Sequence, residues 1–486
     1  MHLPRLPASS HFPAYALASL GIGLAGWIRR SFGETALDQI LWHLRYLEPA
    51  GTSMGSIFLF EFVCEVLLFP LAIALLAAML HGMLAGPPRR WQRGVLASMP
   101  WLAALAASLA LLHQFSVFSF VAAQFQPDRF AESYVDPRTV RVTEGKTRNL
   151  VLIYVESLEQ TYGNKALFGR DLLADTRRLG GFSFSSYRGA EGANWTIAAM
   201  VATQCGVPLR AYSETDVRRQ GPGKAFLPGA TCLGDLLQAR GYHNVFLGGV
   251  PLSFAGKGSF LRDHGYQERW GREQWQRAGA TASEFNEWGL YDDRLYARAR
   301  TRLEQLHASG RPFNLTMLTL ETHNPDGFLS PYCHGLGASE FDGIVACASR
   351  QVADFIGFMA HKGYLKDTTV VVLGDHLAMP NPVKKQLQQA GSSRRIFNLF
   401  VADRHPSPTR AEVLPFDMFP TLVEMLGMEV AGHRLGLGYS AVAEVEAPPY
   451  DEDADDGSLA TLRGSGAYDA LWEAPPGSGA DADPSD

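Results

Sequence analysis

The sequence predicts an α-helical membrane region of about three spans, followed by an α/β domain with a mainly parallel central sheet. Apolar residues are concentrated in the first 125 of the 486 positions. From about 148 to 440, short β-branched runs alternate with helical patterns, which is typical of a parallel sheet covered by helices. The remaining residues form an acidic tail, rich in Ala, Gly, Pro and Ser, that offers little for a core. We therefore predict a membrane region at 1–125, a linker at 126–147, an α/β domain at 148–445 and a disordered acidic tail at 446–486.

Three apolar stretches of the N-terminal region are long enough to cross a bilayer, at 12–28, 57–84 and 95–123. The alternative for the first is a cleaved signal peptide, but only Arg5 precedes it and no A-x-A site follows at a natural place. Between the first two spans, 35–47 has apolar residues at helical spacing with scattered charges. This pattern predicts an amphipathic helix at the membrane interface.

Charge gives two indications about the surroundings of the protein. The net charge of −6 gives no indication of nucleic-acid binding. The basic loop 86–93, with its three arginines, predicts a cytoplasmic loop and therefore an α/β domain on the outer face of the membrane. However, 29–45 also carries three arginines, so charge alone leaves the orientation open.

Cysteines give an independent indication of the compartment. Cys64 falls in a predicted span, whereas Cys205, Cys232, Cys333 and Cys347 fall in the α/β domain at spacings that match neither a zinc site nor C-x-x-C. An even number of cysteines in an exported domain suggests two disulfides. The shorter loops pair Cys205 with Cys232 and Cys333 with Cys347. Four reduced thiols in a cytoplasmic domain are the alternative.

Polar residues follow three predicted strands at the point where each strand ends. The strand at 151–155 precedes Glu156, the strand at 313–320 precedes Glu321, Thr322 and His323, and the strand at 368–373 precedes Gly374, Asp375 and His376. Parallel strands place their carboxyl ends on one rim of a sheet, so these groups can converge there. Two carboxylates and a histidine form an oxygen and nitrogen set suited to a divalent cation. Taken alone, Glu156 is equally well explained as a cap of the following turn.

A hydroxyl group belongs to the same prediction. Thr196 follows Gly192, Ala193, Asn194 and Trp195 and begins an apolar helical run. The N-terminus of a helix favours an anion such as an alkoxide or a phosphate. A lone threonine at this position is also an ordinary N-cap, so only the joint arrangement indicates a site.

The order of these motifs resembles the phosphoglycerol transferases, which belong with the lipoteichoic acid synthases in the alkaline phosphatase/sulfatase superfamily. The fragments IYVESLEQTY (153–162), TIAAMVATQCGVPL (196–209), THNPDGF (322–328) and GDHLAM (374–379) carry the resemblance. They are most similar to the membrane-anchored transferases that act on osmoregulated periplasmic glucans. The resemblance covers nearly all of 148–440 and implies an alkaline phosphatase/sulfatase-like fold.

The resemblance also implies roles for individual residues. One divalent cation, Mn²⁺ or Mg²⁺ with Zn²⁺ as the alternative, would be held by four residues, of which the threonine is the nucleophile: Glu156, Thr196, Asp375 and His376. His323 would contact the substrate phosphate as a donor or a general acid.

A second set of residues is predicted to bind substrate. Phe254 and Lys257 stand where lipoteichoic acid synthases carry an aromatic residue and an arginine, and Asn194 and Trp195 precede the nucleophile. By itself, Lys257 is equally well explained as a solvated surface lysine. Loops 220–229, 278–288 and 330–343 are candidates for the acceptor site but carry no diagnostic motif.

The implied activity is transfer of glycerol phosphate from phosphatidylglycerol to periplasmic glucans through a phospho-threonine intermediate, with release of diacylglycerol. The protein would be a multi-pass protein of the bacterial inner membrane with its catalytic domain in the periplasm. Phosphoethanolamine transfer to a lipid or glycan, hydrolysis, and non-catalytic glycan binding on the same fold are the alternatives. The sequence argues against hydrolysis of sulfate esters. Thr196 begins the segment where sulfatases need the motif C-x-P-x-R or S-x-P-x-R.

Overall fold

A computed structural model describes most of the chain, as two compact units. The described residues are 11–32, 37–46, 60–84, 90–115, 117, 128–145, 147–210, 221–403, 407–445 and 465–473. One unit contains 1–40 and 49–122, and the other contains 41–48 and 123–486. The predicted basic loop up to residue 89 and most of the predicted tail lie outside the described residues.

The N-terminal unit is helical. Its elements are Phe12–Phe32, a π-helical segment Val63–Leu68, Phe69–Leu84 and Arg90–Gln114, and the Leu37–Arg45 helix begins in it. Within the described residues, Phe60–Met83 is the one helix both long and apolar enough to cross a membrane, with a mean hydropathy of 2.5. The helices Phe12–Phe32 and Arg90–Gln114 cover most of the two other predicted spans.

The second unit is built on a six-stranded sheet. In chain order its strands are β1 Asn149–Val155, β2 His243–Gly248, β3 Glu268–Trp270, β4 Phe313–Leu318, β5 Thr368–Gly374 and β6 Asn398–Val401. Their spatial order is β3-β2-β4-β1-β5-β6, and β6 alone runs antiparallel to its neighbour. The predicted mainly parallel sheet is therefore confirmed.

Both faces of the sheet are covered, which explains why its central strands are apolar without alternation. In β1, Leu150, Leu152 and Tyr154 belong to one hydrophobic core, whereas Val151, Ile153 and Val155 belong to the other. The first core includes the helices Thr196–Cys205 and Met418–Met425, and the second includes Asp292–Ala308 and Phe341–His361.

Short elements complete this unit. Its other helices are Arg129–Ser133, Lys165–Phe168, Ala174–Arg177, Leu233–Gln238, Lys257–Asp263, Arg272–Arg277, Pro331–Gly335, Lys384–Ala390 and Gly466–Asp469. Three two-stranded pairs join Val142–Glu144 to Met428–Val430, Ser186–Tyr187 to Glu412–Val413, and Arg434–Leu435 to Gly438–Tyr439.

Both predicted disulfides are present. Cys205 is bonded to Cys232 and Cys333 to Cys347. The first bond joins the C-terminal end of the Thr196–Cys205 helix to the residue before Leu233–Gln238, so it fixes the far end of the helix that begins at Thr196.

Part of the predicted disordered tail is folded, which corrects the sequence-based expectation for 465–473. Tyr468, Leu471 and Trp472 are buried. The Tyr468 hydroxyl donates to the Pro208 carbonyl at 2.9 Å and accepts from the Arg210 amide at 3.0 Å. The acidic composition of the tail obscured three large apolar side chains that are close enough in sequence to pack together into the core.

Candidate metal centre

Three buried ligand residues meet at the carboxyl ends of two neighbouring strands. Glu156 follows β1, and Asp375 and His376 follow β5. The parallel register pairs Val155 with Gly374, so the residues that follow begin side by side. One ligand atom from each of the three side chains lies within 4.8 Å of the others. The convergence predicted from the strand ends is therefore observed for these three residues.

Ser157 holds two of the three ligand residues in place. It adopts a left-handed backbone conformation, with φ of 52°. Its amide donates to Asp375 Oδ1 at 2.7 Å, and its hydroxyl donates to Glu156 Oε1 at 2.7 Å. Sequence analysis did not assign Ser157 a role, although a serine directly after a strand-end carboxylate was a usable signal.

The hydrogen bonds around His376 prepare it to bind a cation. Nδ1 donates to the Leu377 carbonyl at 2.9 Å, which leaves Nε2 facing the carboxylates. Nε2 lies 3.5 Å from Asp375 Oδ2 and 3.6 Å from Glu156 Oε1. Asp375 Oδ2 is buried without a hydrogen-bond partner. A buried oxygen without a donor, a second carboxylate and an imidazole nitrogen fit a divalent cation well.

The electrostatics of the metal-free centre support the same conclusion. Burial raises the pKa of Asp375 to about 6, and the charge of Glu156 contributes to the rise. Burial opposes protonation of His376, but the charges of Asp375 and Glu156 outweigh it and raise the pKa of His376. Without a cation, the two carboxylates repel each other in a site that excludes water.

Thr196 lies at this centre, at the first turn of its helix. Its hydroxyl donates to Glu156 Oε2 at 3.4 Å. Trp195, which precedes it, is buried in the core, and its indole N–H has no hydrogen-bond partner. The Asn194 side chain is exposed. The structure thus brings Thr196 to the candidate metal ligands, and the substrate roles of Asn194 and Trp195 stay predictions.

Lys257 is a buried cation facing the centre, and this excludes the explanation that it is a solvated surface lysine. Its side chain is 2% exposed, and its ammonium nitrogen lies 4.6 Å from the centre of the Phe254 ring. Burial lowers the pKa of Lys257 to about 8, against the opposing effect of Glu156 and Asp375. The ammonium group therefore stays largely charged at neutral pH.

His323 is predicted to contact the substrate phosphate as a donor or a general acid, and its surroundings without a phosphate favour the neutral ring. Burial lowers the pKa of His323 to about 4. Its Nδ1 donates to the Asn324 carbonyl at 2.6 Å, so the neutral ring keeps Nε2 as an acceptor. In the ligand-free protein this histidine therefore has no spare proton to give. An anionic phosphate beside it would raise the pKa of His323 and favour the donor form.

Trp288 is a neighbour of the site that sequence analysis did not single out. Its ring centre lies 4.3 Å from that of His323 and 5.3 Å from that of Phe254. The three rings form one aromatic wall. Trp288 ends the 278–288 loop, which also contains Phe285, so an aromatic residue by itself did not indicate a role at the site.

An ion pair anchors the loop that carries His376. Glu159 is fully buried and accepts two hydrogen bonds from Arg394, at 2.9 and 2.5 Å. Glu159 Oε1 also accepts from the Ala378 amide at 3.2 Å. The second carboxylate of the 153–162 motif therefore positions the loop after His376.

A second group of possible ligands, Cys232, Asp235 and His264, is not a metal site. Cys232 is bonded to Cys205. Both ring nitrogens of His264 are engaged, with Asp235 at 2.8 Å and the Phe226 carbonyl at 2.9 Å. These bonds stabilise the loop that contains Phe226.

Comparisons with known proteins indicate the family of the chain. A family model described as Sulfatase matches residues 148–428. Phosphoglycerol transferase I of Escherichia coli O127:H6 is 37% identical over 330 residues, which cover 65% of this chain and 41% of that protein. The protein of the same description from Escherichia coli strain K12 is 36% identical over 330 residues, with the same coverage. The chain thus matches about two fifths of the length of these relatives.

Two solved structures resemble the α/β unit to different degrees. A protein in the alkaline phosphatase superfamily from Vibrio parahaemolyticus superposes with a TM-score of 0.50 at 20% identity, over 73% of this chain and 95% of that chain. The lipoteichoic acid synthase LtaP from Listeria monocytogenes superposes with a TM-score of 0.49 at 16% identity, over 66% of this chain and 80% of that chain. The family match and the first of these superpositions show that the α/β unit has an alkaline phosphatase-like fold.

Proposed function

This chain belongs to the sulfatase family and is a homologue of phosphoglycerol transferase I, and from that premise we propose that it transfers glycerol phosphate from phosphatidylglycerol to periplasmic glucans. The observation that carries the proposal is the Thr196 hydroxyl, 3.4 Å from Glu156 in a centre shared with Asp375 and His376. A hydroxyl group on a metal centre suits a covalent transfer mechanism.

The first half-reaction transfers the headgroup to the protein. Thr196 Oγ attacks the phosphorus of phosphatidylglycerol, a threonine–phosphorus bond forms and the bond to diacylglycerol breaks. The hydroxyl proton leaves through Glu156 and finally resides on the diacylglycerol oxygen. In the second half-reaction a glucan hydroxyl attacks the phosphorus of glycerophosphoryl-Thr196, the glucan oxygen–phosphorus bond forms and the threonine–phosphorus bond breaks. The proton of the glucan hydroxyl passes to Thr196 Oγ and restores the free hydroxyl.

The surrounding residues stabilise the negative charge of the phosphoryl group. Lys257 supplies a buried positive charge, and the first amides of the Thr196–Cys205 helix supply the positive end of a helix dipole. Glu156, Asp375, His376 and Thr196 are the residues that would hold a divalent cation. When bound, that cation, Mn²⁺ or Mg²⁺ with Zn²⁺ as the alternative, would activate the hydroxyl and polarise a phosphoryl oxygen.

The proposed location is the bacterial inner membrane, with spans at 12–28, 57–84 and 95–123 and the domain at 148–445 in the periplasm. The apolar helix Phe60–Met83 supports a membrane anchor. The two disulfides support an oxidising compartment. Membrane attachment keeps the site near a donor lipid that does not leave the bilayer.

Labelled lipids test the proposal. The full chain, in nanodiscs with Mn²⁺, is supplied with phosphatidylglycerol or phosphatidylethanolamine labelled in the headgroup. With phosphatidylglycerol, we expect diacylglycerol release and a glycerophosphoryl adduct on the Thr196 peptide. With phosphatidylethanolamine, we expect neither. An adduct from phosphatidylethanolamine would instead support phosphoethanolamine transfer, and release without any adduct would contradict the covalent mechanism.

The acceptor is tested separately by mass spectrometry of periplasmic glucans from a strain that lacks the protein. Loss of phosphoglycerol substituents would support the glucan acceptor. Unchanged substituents would overturn that part of the proposal.

A further inference from the structure

The turn that presents Phe254 and Lys257 has an unusual backbone. Ala255 and Gly256 are both left-handed, with φ/ψ of 56°/20° and 81°/10°. Glycine adopts this conformation readily, but alanine does so at a cost of about 1 kcal/mol. Contacts from outside the turn are therefore needed to hold Ala255 in place.

Those contacts come from Trp42 and Tyr46, which belong to the same compact unit as the α/β domain. Trp42 is fully buried, and its indole N–H donates to the Ala255 carbonyl at 3.1 Å. The Tyr46 ring packs on Gly256, where an added Cβ would lie 2.8 Å from a ring carbon. Each of the two left-handed residues is thus contacted by one aromatic side chain of this segment.

The conformation of the turn decides where Lys257 points. Lys257 directly follows Gly256 and begins the Lys257–Asp263 helix. A change of φ or ψ at Ala255 would rotate the peptide that leads into Lys257 and move its ammonium group away from Glu156 and Asp375. The Trp42 hydrogen bond to the Ala255 carbonyl opposes that change.

We propose that Trp42 is a positioning residue: by its hydrogen bond to the Ala255 carbonyl, it holds the 253–257 turn so that Lys257 faces the anionic phosphoryl group of the donor. The part that concerns the donor rests on the proposed function. The part that concerns the turn rests only on the contacts of Trp42, Tyr46 and Ala255.

A simpler explanation is that Trp42 only packs in the core. Substitution of Trp472 is the matched control that tests this explanation. The two indoles belong to one aromatic cluster with Phe226, with their ring centres 6.1 Å apart. Trp472 is 3% exposed, and its N–H has no hydrogen-bond partner. Replacement of either indole by phenylalanine removes similar buried volume, but only Trp42→Phe removes the hydrogen bond to the turn.

The first test is a double-mutant cycle on the full chain in nanodiscs, with diacylglycerol release as the assay. We expect Trp42→Phe to raise KM for phosphatidylglycerol about five- to tenfold, and Trp472→Phe to change it less than about twofold. In a Lys257→Ala background, Trp42→Phe should have no further effect, because the charge on which it acts is gone. An equal effect in both backgrounds, or an equal effect of Trp472→Phe, would overturn the proposal.

The second test does not depend on activity. Acetylation of the Lys257 amine by acetic anhydride is followed by peptide mass spectrometry, with exposed Lys165 as the internal reference. The rate at Lys257 should rise several-fold in Trp42→Phe and stay unchanged in Trp472→Phe. If the wild type releases no diacylglycerol, the proposed function fails and this measurement alone decides the role of Trp42. Equal rates in both variants would refute that role.

Discussion

The Thr196 hydroxyl donates a hydrogen bond to Glu156 Oε2 at 3.4 Å, across 40 positions of sequence. This contact joins a helix N-terminus to a strand end and places a potential nucleophile among potential metal ligands. The same oxygen set can therefore hold a cation and receive the proton of the hydroxyl. The first prediction tests this relationship directly.

Thr196→Ala should abolish diacylglycerol release, by about 10³-fold or more, because no other group replaces the attacking oxygen. Thr196→Ser keeps the hydroxyl and should retain measurable turnover. Thr196 is only partly buried, so the melting temperatures of both variants should stay near that of the wild type. Normal turnover in Thr196→Ala would rule out the covalent mechanism.

The substitution Asp375→Asn should stabilise the protein in EDTA and make it less stable than the wild type in Mn²⁺. The raised pKa of Asp375, about 6, means that its charge destabilises the metal-free protein. This penalty is absent below about pH 4 and complete well above pH 6. Between these values the folded state binds more protons than the unfolded state, so stability falls as the pH rises. At pH 8 with EDTA, the variant should therefore melt at a higher temperature than the wild type.

With Mn²⁺ the order should invert, because the wild type gains the binding free energy of the cation. Differential scanning fluorimetry measures both states. Asp235→Asn, in the group with Cys232 and His264, is the control and should leave the Mn²⁺-induced shift unchanged. A full Mn²⁺-induced shift in Asp375→Asn would show that Asp375 is not a ligand.

Donor affinity should weaken as the pH rises above 8. Burial lowers the pKa of Lys257 to about 8, so its positive charge is lost above that pH. KM for phosphatidylglycerol should then rise by up to about tenfold per pH unit. Lys257→Arg stays charged and should flatten this limb of the profile. If the wild type and Lys257→Arg show the same pH dependence, Lys257 does not bind the phosphate.

Truncation should separate two parts of the C-terminal tail. Deletion of 474–486 should leave the melting temperature unchanged. Deletion of 465–486 should lower it, because Tyr468, Leu471 and Trp472 lose buried sites. The single change Tyr468→Ala should cost about 2–4 kcal/mol, since it removes a buried ring and its bonds to Pro208 and Arg210. Urea unfolding measures this, and equal stability of both truncations would contradict the packed arrangement.

The sequence allowed much of the fold to be predicted because the sheet has a strong local signal. Strands β1, β4 and β5 appear as apolar runs, and each ends at the polar residues now seen on one rim. Parallel pairing brings such ends together, so the pattern predicted their convergence, and the family resemblance assigned Glu156, Asp375 and His376 as the ligands. The disulfide pairs were predicted from the even number of cysteines in the α/β domain and from the pairing that closes the shorter loops.

Other features carried no local signal. The lowered pKa of His323 depends on surroundings that include the Trp288 ring, which lies 35 positions away in the sequence. The burial of Lys257 and the docking of 465–473 depend in the same way on neighbours distant in sequence. For 465–473, composition predicted disorder, because a few apolar side chains are diluted among acidic residues.

The sequence by itself determined the sheet, the ligand types at its rim and the disulfide pairs, because periodicity and strand direction are local properties of the chain. Only the tertiary structure decided that Trp42 contacts Ala255, across 213 positions, and that the turn between Phe254 and Lys257 is left-handed. Loop packing sets such contacts through shape and single hydrogen bonds, and no residue pattern along the chain encodes them.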